Sequence, residues 1–384
     1  MRKSRFRHRA GPHPNPTKPD RIMSAKPKRS RLLDANAAGW IMALPAFLLL
    51  SVFLILPFFL AFGLSFTDQR LVSPNPTSFV GMRNFEQLLG VGVLTLDPVK
   101  DDAGAVVRDT SGAPTYPEVR SFTRNNPQYP NLNGMREWLT VHFGDTELVI
   151  VARDVLFMKA LFNTILFVVI VAPVQGGLAL LLAILINQKV RGINIFRTIY
   201  FMPVVVSIVV VALLWRFIYD GQDGLLNTLL RYATFGAFKP IDWLGQTETA
   251  LGAIIGMSIW QAVGFHMVIW LSGLQTIPVS LYEAADIEGA TAWQKFRYVT
   301  WPGLRNTAVL VLIVITMQAF ALYSQVNVMT RGGPLDSTQT LVFQAVSRGY
   351  EKQDISGGSS ISVVLFLFVL SISLIQRYLT REKR

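Results

Sequence analysis

The chain contains no cysteine, which removes disulfides, thiolate nucleophiles and thiolate metal sites, and leaves nothing from which to read a redox compartment. It is also poor in charge: Asp, Glu, Lys and Arg make up 16% of 384 residues, against 51% hydrophobic residues. With a mean hydropathy of +0.39, that is too apolar for a soluble domain. No lysine follows a glycine, so there is no G-x-x-x-x-G-K-[ST] phosphate loop, and this chain is not expected to hydrolyse ATP alone. Of four histidines only His266 lies in an apolar run, and none forms H-E-x-x-H. Neither a zinc site nor a hydrolase site is recognisable, and the chain reads as a non-enzyme with no cofactor of its own.

What is present is a series of apolar runs close to the ~20 residues that cross a bilayer. They cover about Trp40 to Phe66, Leu161 to Ile186, Ile199 to Tyr219, Leu251 to Leu274, Thr307 to Met329 and Ser359 to Gln376. The first contains Pro45 and Pro57, which membrane helices tolerate when neighbours satisfy the freed carbonyls. The net charge of +12 and pI near 10.0 could suggest nucleic acid, but the excess sits in an N-terminal tail and in short loops between spans. Lys189, Arg191, Arg197, then Lys295, Arg297, Arg305, then Arg377, Arg381, Lys383 and Arg384 all fall on one side if six spans alternate. Both termini are then expected in the cytoplasm, and no nucleic-acid partner is expected.

The expected organisation is a basic disordered cytoplasmic tail (1–38), a first transmembrane helix (39–66), an extracytoplasmic insertion (67–158) and a helical membrane core (159–384). The tail is rich in Arg, Lys and Pro and cannot bury a core; beside a span it reads as a topology determinant, with contact to anionic lipid as the alternative. In the insertion, clusters such as Asn125-Asn126-Pro127 and Asn131-Leu132-Asn133-Gly134 predict irregular structure.

One polar helical stretch, 280–302, lies between two strongly apolar segments. Ser280 with Glu283 has capping-box spacing and predicts a helix start; Gly289 offers a position for φ > 0; Thr291 with Gln294 repeats the spacing and predicts a second helix, ending before Pro302. An ordinary amphipathic loop would satisfy the same signals. The spelling goes further: Glu283-Ala284-Ala285, three residues, Gly289, nine residues, then Val299-Thr300-Trp301-Pro302 resembles the E-A-A-x3-G-x9-I-x-L-P signature of ABC importer permeases, with Val299 for the usual Ile and Trp301 for the usual Leu.

Further segments resemble the sugar-importer branch of that family, the maltose-type and glycerol-phosphate-type permeases: Phe79 to Phe85, Phe162-Asn163-Thr164, Phe196 to Pro203, Gly224 to Asn227 and Thr330 to Pro334. The likeness covers most of Trp40 to Arg384 and departs between about Leu89 and Val155, where this chain inserts a small domain.

The resemblance implies an all-α, MetI-like integral membrane permease with six transmembrane helices, placed in a bacterial inner membrane. It implies that Glu283, Ala284, Ala285, Gly289 and Pro302 belong to a cytoplasmic loop docked on an ATPase that uses the ATP. It also implies a second permease subunit, a different and shorter chain, together with a dimer of ATP-binding subunits and an extracytoplasmic solute-binding protein. Maltose-type permeases use an insertion at a similar place to touch their binding protein, and the same role is the expectation here.

The spans contain essentially no Asp or Glu, whereas ion-coupled carriers place carboxylates on the ion path. An ion-coupled secondary carrier is therefore the second reading, behind an ATP-driven importer of a carbohydrate or polyol. Gln261 on the fourth span and Gln318, Tyr323 and Gln325 on the fifth are candidate path residues because amides and phenols exchange hydrogen bonds with hydroxyls without holding an ion. His266 joins them as the one histidine inside a span, and Gly264 because the resemblance to maltose-type permeases implies that this part of the fourth span contributes to a transmembrane sugar site. Plain hydrogen bonding between helices is the alternative role for each.

Overall fold

The computed structural model describes residues 30–110, 112–188 and 192–380. The chain divides into two compact units, residues 1–57 and 58–384. In the first, helix α1 (Ser30–Leu50) opens into one π turn, Ser51–Ile55. It begins inside the stretch expected to be an irregular tail, whose residues 1–29 lie outside the described part. The π turn has a local cause. Pro57, in helix α2 (Leu56–Leu64), has no N–H and its ring would collide with the carbonyl four residues back; a bond from the Leu56 N–H to the Ser51 carbonyl widens the turn there.

In the second unit, Asn84 in α3 (Arg83–Leu89) donates its side-chain amide to the carbonyls of Ser65 and Thr67, at 2.8 and 2.7 Å. The segment expected to be irregular then builds a sheet. Strand β1 (Val91–Leu96), a short helix α4 (Val119–Thr123), and strands β2 (Arg136–Phe143) and β3 (Thr146–Ala152) give an antiparallel sheet of order β1-β3-β2. The register sets Val93 opposite Ile150 and Thr140 opposite Val149, and Gly144-Asp145 turns the β2–β3 hairpin with Gly144 at φ +60°. Leu94, Leu96, Leu132, Met135, Val149 and Val151 form its core, with Tyr116, Val119 and Phe122 packed on it. The alternation of buried and exposed residues along β1 is what a one-sided sheet requires.

The membrane core follows: α5 (Val155–Ile186), α6 (Ile193–Val205), α7 (Ile208–Ile218), α8 (Leu225–Ala233) and α9 (Ala250–Gln275). Then come α10 (Val279–Ile287), α11 (Ala292–Lys295), α12 (Trp301–Gly303) and α13 (Arg305–Phe320). The chain closes with α14 (Ser324–Met329), α15 (Leu341–Val346) and α16 (Ile355–Thr380). Among the described residues four uninterrupted helices are long and apolar enough to cross a membrane, Gly39–Leu64, Val155–Ile186, Ala250–Gln275 and Ile355–Tyr378.

Two expected spans are not straight. α6 and α7 are bent by 99° about Val206-Ser207, and α13 is bent by 69° from the Ala292–Gly303 helix before it. Pro203 removes a hydrogen bond from the last turn of α6, and Val206 is extended, so the helix cannot run on. The expected span from Thr307 to Met329 is likewise split, α13 ending at Phe320 and α14 starting at Ser324.

The core lies where α5, α9 and α13 meet, around Phe167, Val171, Ile254, Met257, Trp270 and Ile315. Trp270 Nε1 donates to the Gly176 carbonyl at 3.1 Å, so α9 is fixed to α5 by a directed bond as well as by packing. One ionic node ties two span ends together. Arg348 reaches Asp154 through Nη1 at 2.8 Å and Asp354 through Nε at 2.7 Å. Each aspartate also accepts a backbone N–H at a helix start, Asp154 from Phe157 in α5 and Asp354 from Gly357 in α16.

Candidate functional site

A cavity of about 320 Å³ opens between α5, α6, α7, α9, α13 and α14. Its polar lining is Gln175 from α5, Ser258 and Gln261 from α9, Gln318 from α13 and Gln325 from α14; the rest is apolar, including Phe167, Val171, Phe265 and Ile315. Among the described residues no charged side chain lines it. The Ser258 hydroxyl has no partner among the described residues although the side chain is buried, which leaves a donor and acceptor free at the wall.

The structure thus gathers three of the six candidate path residues, Gln261, Gln318 and Gln325, into one wall. The other three do not line it. Gly264 is where α9 meets α6: a Cβ built there would lie 1.9 Å from the Tyr200 carbonyl oxygen. Tyr323 stacks on Phe343, ring centres 6.1 Å apart. His266 is fully buried behind the wall, its Nδ1 2.8 Å from Gln175 Nε2 and 2.9 Å from the Ala262 carbonyl, with Nε2 unpartnered. Gln175 and Ser258 were not singled out in the sequence, although a glutamine two residues after Pro173 in an apolar helix was a usable signal.

The 280–302 segment forms two short helices meeting at a glycine corner. Gly289 takes φ +71°, the Ala290 N–H bonds the Ala285 carbonyl at 2.9 Å and the Gly289 N–H bonds the Asp286 carbonyl at 3.0 Å. This is a Schellman termination of α10 with glycine at its left-handed position. Thr291 then makes a full capping box with Gln294.

Two expectations fail here. α10 starts at Val279 with Pro278 as its N-cap residue, so Ser280 is already helical and makes no side-chain cap. Pro278 sets this start, because it disfavours helix in the residue before it and itself stands at ψ 130°, outside the helix. Glu283 is exposed and closes no box with Ser280. Nor does the second helix end before Pro302. It widens into a π turn, Phe296–Thr300, with the Trp301 N–H bonded to the Phe296 carbonyl, and runs on through Pro302 as α12. The cause is the one seen before Pro57.

The two arms are tied by Tyr282 Oη to Thr300 Oγ1 at 3.0 Å and by an ion pair between Lys295 and Asp286. Ala285 is half-buried, and Ala284, Gly289 and Pro302 are exposed. Around them Val279, Ile287, Trp293 and Tyr298 stand well exposed, an apolar surface on a segment that reads as polar.

Residues 175–384 match the family described as "Binding-protein-dependent transport system inner membrane component". The chain is 35% identical over 222 residues to a probable ABC transporter permease protein of Pyrococcus horikoshii, covering 58% of this chain and 76% of that one. It is 33% identical over 245 residues to the lactose transport system permease protein LacF of Rhizobium radiobacter, covering 63% and 82%. Among solved structures, a bacterial ABC transporter involved in import of the acidic polysaccharide alginate matches with a TM-score of 0.64 at 18% identity, over 91% of this chain and 98% of that one, a likeness of fold.

Proposed function

The chain belongs to the binding-protein-dependent transport system inner membrane components, and from that premise we propose that it forms one half of an ATP-driven import path for a neutral carbohydrate or polyol. The observation that carries the substrate class is the cavity lined by four amides and a hydroxyl without one charged side chain. Amides and hydroxyls exchange hydrogen bonds with sugar hydroxyls, while a phosphate or carboxylate would lose its hydration there with no counter-charge to offset it. The lactose permease relative points the same way.

In this reading six spans cross the membrane, namely the four unbroken helices, the bent α6–α7 pair, and α13 continued by α14, and both termini are cytoplasmic. Residues 1–38 are a cytoplasmic tail, residues 67–158 are extracytoplasmic, and the sheet within them meets the solute-binding protein. The exposed apolar surface at 280–302 docks on a separate ATP-binding subunit dimer, with Glu283, Ala284, Ala285, Gly289 and Pro302 in the contact. A second, non-identical permease chain completes the path. Cofactors are left to the ATPase.

The test is uptake in proteoliposomes holding both permease subunits, the ATPase and the binding protein. Labelled lactose should enter and be displaced by unlabelled maltose but not by glycerol 3-phosphate. Uptake of glycerol 3-phosphate with no uptake of either neutral sugar would overturn the substrate class.

A further inference from the structure

Gln175 in the cavity wall and His266 behind it are 3% and 0% exposed, and they face each other across the α5–α9 contact with 2.8 Å between Nε2 and Nδ1. Next to them Trp270 Nε1 holds the Gly176 carbonyl at 3.1 Å, so the separation of the two side chains is set by a second, independent bond between the same helices.

A neutral imidazole nitrogen offers either a hydrogen or a lone pair, never both. If His266 Nδ1 gave its hydrogen to the Ala262 carbonyl, 2.9 Å away, it would have no lone pair for the Gln175 amide. That carbonyl does not need it, since the His266 backbone N–H serves it in the helix ladder. If Nδ1 accepts from Gln175, the hydrogen sits on Nε2, which has no acceptor among the described residues, so the Gln175 bond must offset the cost of that buried N–H. One end of the Gln175 amide is then consumed by the histidine, and the other, Oε1, is left to the cavity that Gln175 lines.

We infer that Gln175 contacts the solute as a hydrogen-bond acceptor and that His266, which does not touch the solute, is the positioning residue that fixes the amide in that orientation. The inference rests on the transport reading for its solute, but its geometry does not. An acceptor at this position selects hydroxyl donors; the flipped amide would present N–H groups and favour acceptors instead.

Two measurements test it. The first needs no solute: nitrogen NMR of histidine-labelled full-length protein in nanodiscs, with the His266 resonances identified by their loss in His266→Asn. The expected spectrum shows an unprotonated Nδ1 and a protonated Nε2, exchanging roles in Gln175→Leu, where Nδ1 turns to the Ala262 carbonyl. A protonated Nδ1 in the unaltered protein, or a spectrum indifferent to Gln175→Leu, would overturn the inference.

The second is lactose uptake per ATP hydrolysed in the reconstituted transporter. Loss of one neutral hydrogen bond to the solute should lower uptake about fivefold in Gln175→Leu and in His266→Leu, with ATP hydrolysis kept within about twofold. His266→Asn, whose side-chain oxygen can take the same amide hydrogen, should restore uptake, and His266→Leu should add nothing in the Gln175→Leu background. Full additivity, or uptake and hydrolysis falling together, would make His266 a packing residue only. If the unaltered transporter takes up glycerol 3-phosphate and neither neutral sugar, the carbohydrate reading fails, and the ring-nitrogen spectra still decide whether the histidine holds the amide.

Discussion

Gly264→Ala tests whether α6 and α9 cross at fixed distance. An ideal Cβ at Gly264 lies 1.9 Å from the Tyr200 oxygen, 2.7 Å from the Tyr200 carbonyl carbon and 3.1 Å from Phe201 Cα. All three are backbone atoms, so no rotamer change can relieve the contact. Carbon normally approaches a carbonyl oxygen no closer than about 3.3 Å, so the two backbones must part by more than about 1 Å. Overpacking of this kind costs roughly 1–3 kcal/mol. α6 has no fully buried residue, so it can retreat at a cost in the lower half of that range.

The retreat would carry Val204 away from the cavity wall and slow transport while leaving the order of preferred solutes unchanged. Gly252→Ala in the same helix is the control, with nothing within 4 Å of its added carbon; it should be neutral or gain up to about 1 kcal/mol in helix propensity. The assay is the denaturant midpoint of the full chain in detergent together with lactose uptake. Equal stability and equal uptake for the two variants would refute the close crossing.

At Gly289 the added carbon meets nothing, so only the left-handed backbone is strained: Gly289→Val should cost about 1–2 kcal/mol and weaken co-purification with the ATPase, whereas Gly289→Asn, which tolerates that conformation, should retain most of it. Arg348→Met removes the shared partner of two helix-capping aspartates; with all three side chains roughly a quarter exposed, the loss should be about 1–3 kcal/mol in the denaturant midpoint. Glu283→Ala should leave the stability of the chain unchanged, since Glu283 closes no cap, and any loss of ATPase retention would then come from the partner contact.

The sequence carried the elements whose signals are local. The Gly289 corner and the Thr291–Gln294 capping box form as their residue types dictate, because a left-handed position and a cap need only their own neighbours. Ser280 misled because Pro278, two residues earlier, sets the helix start before the serine can cap it. The π turns before Pro57 and Pro302 were illegible as such: proline announces a lost hydrogen bond, but whether the helix stops or widens depends on what lies beyond. The sheet was hidden by its Asn and Pro clusters, yet Gly144-Asp145 between alternating runs was a hairpin signal. Of the cavity wall, three glutamines were found from amide chemistry together with the family resemblance, while Gln175 and Ser258 required knowing which faces of α5 and α9 meet.

The central claim is that this chain moves a solute with energy delivered by a separate ATPase. It is tested most directly by lactose accumulation in proteoliposomes containing both permease chains and the binding protein, with and without the ATPase, and with ATP on the ATPase side. Accumulation should require both the ATPase and ATP, stop with vanadate and persist when a protonophore collapses the ion gradient. Accumulation without the ATPase, driven by an imposed ion gradient and abolished by the protonophore, would contradict the account.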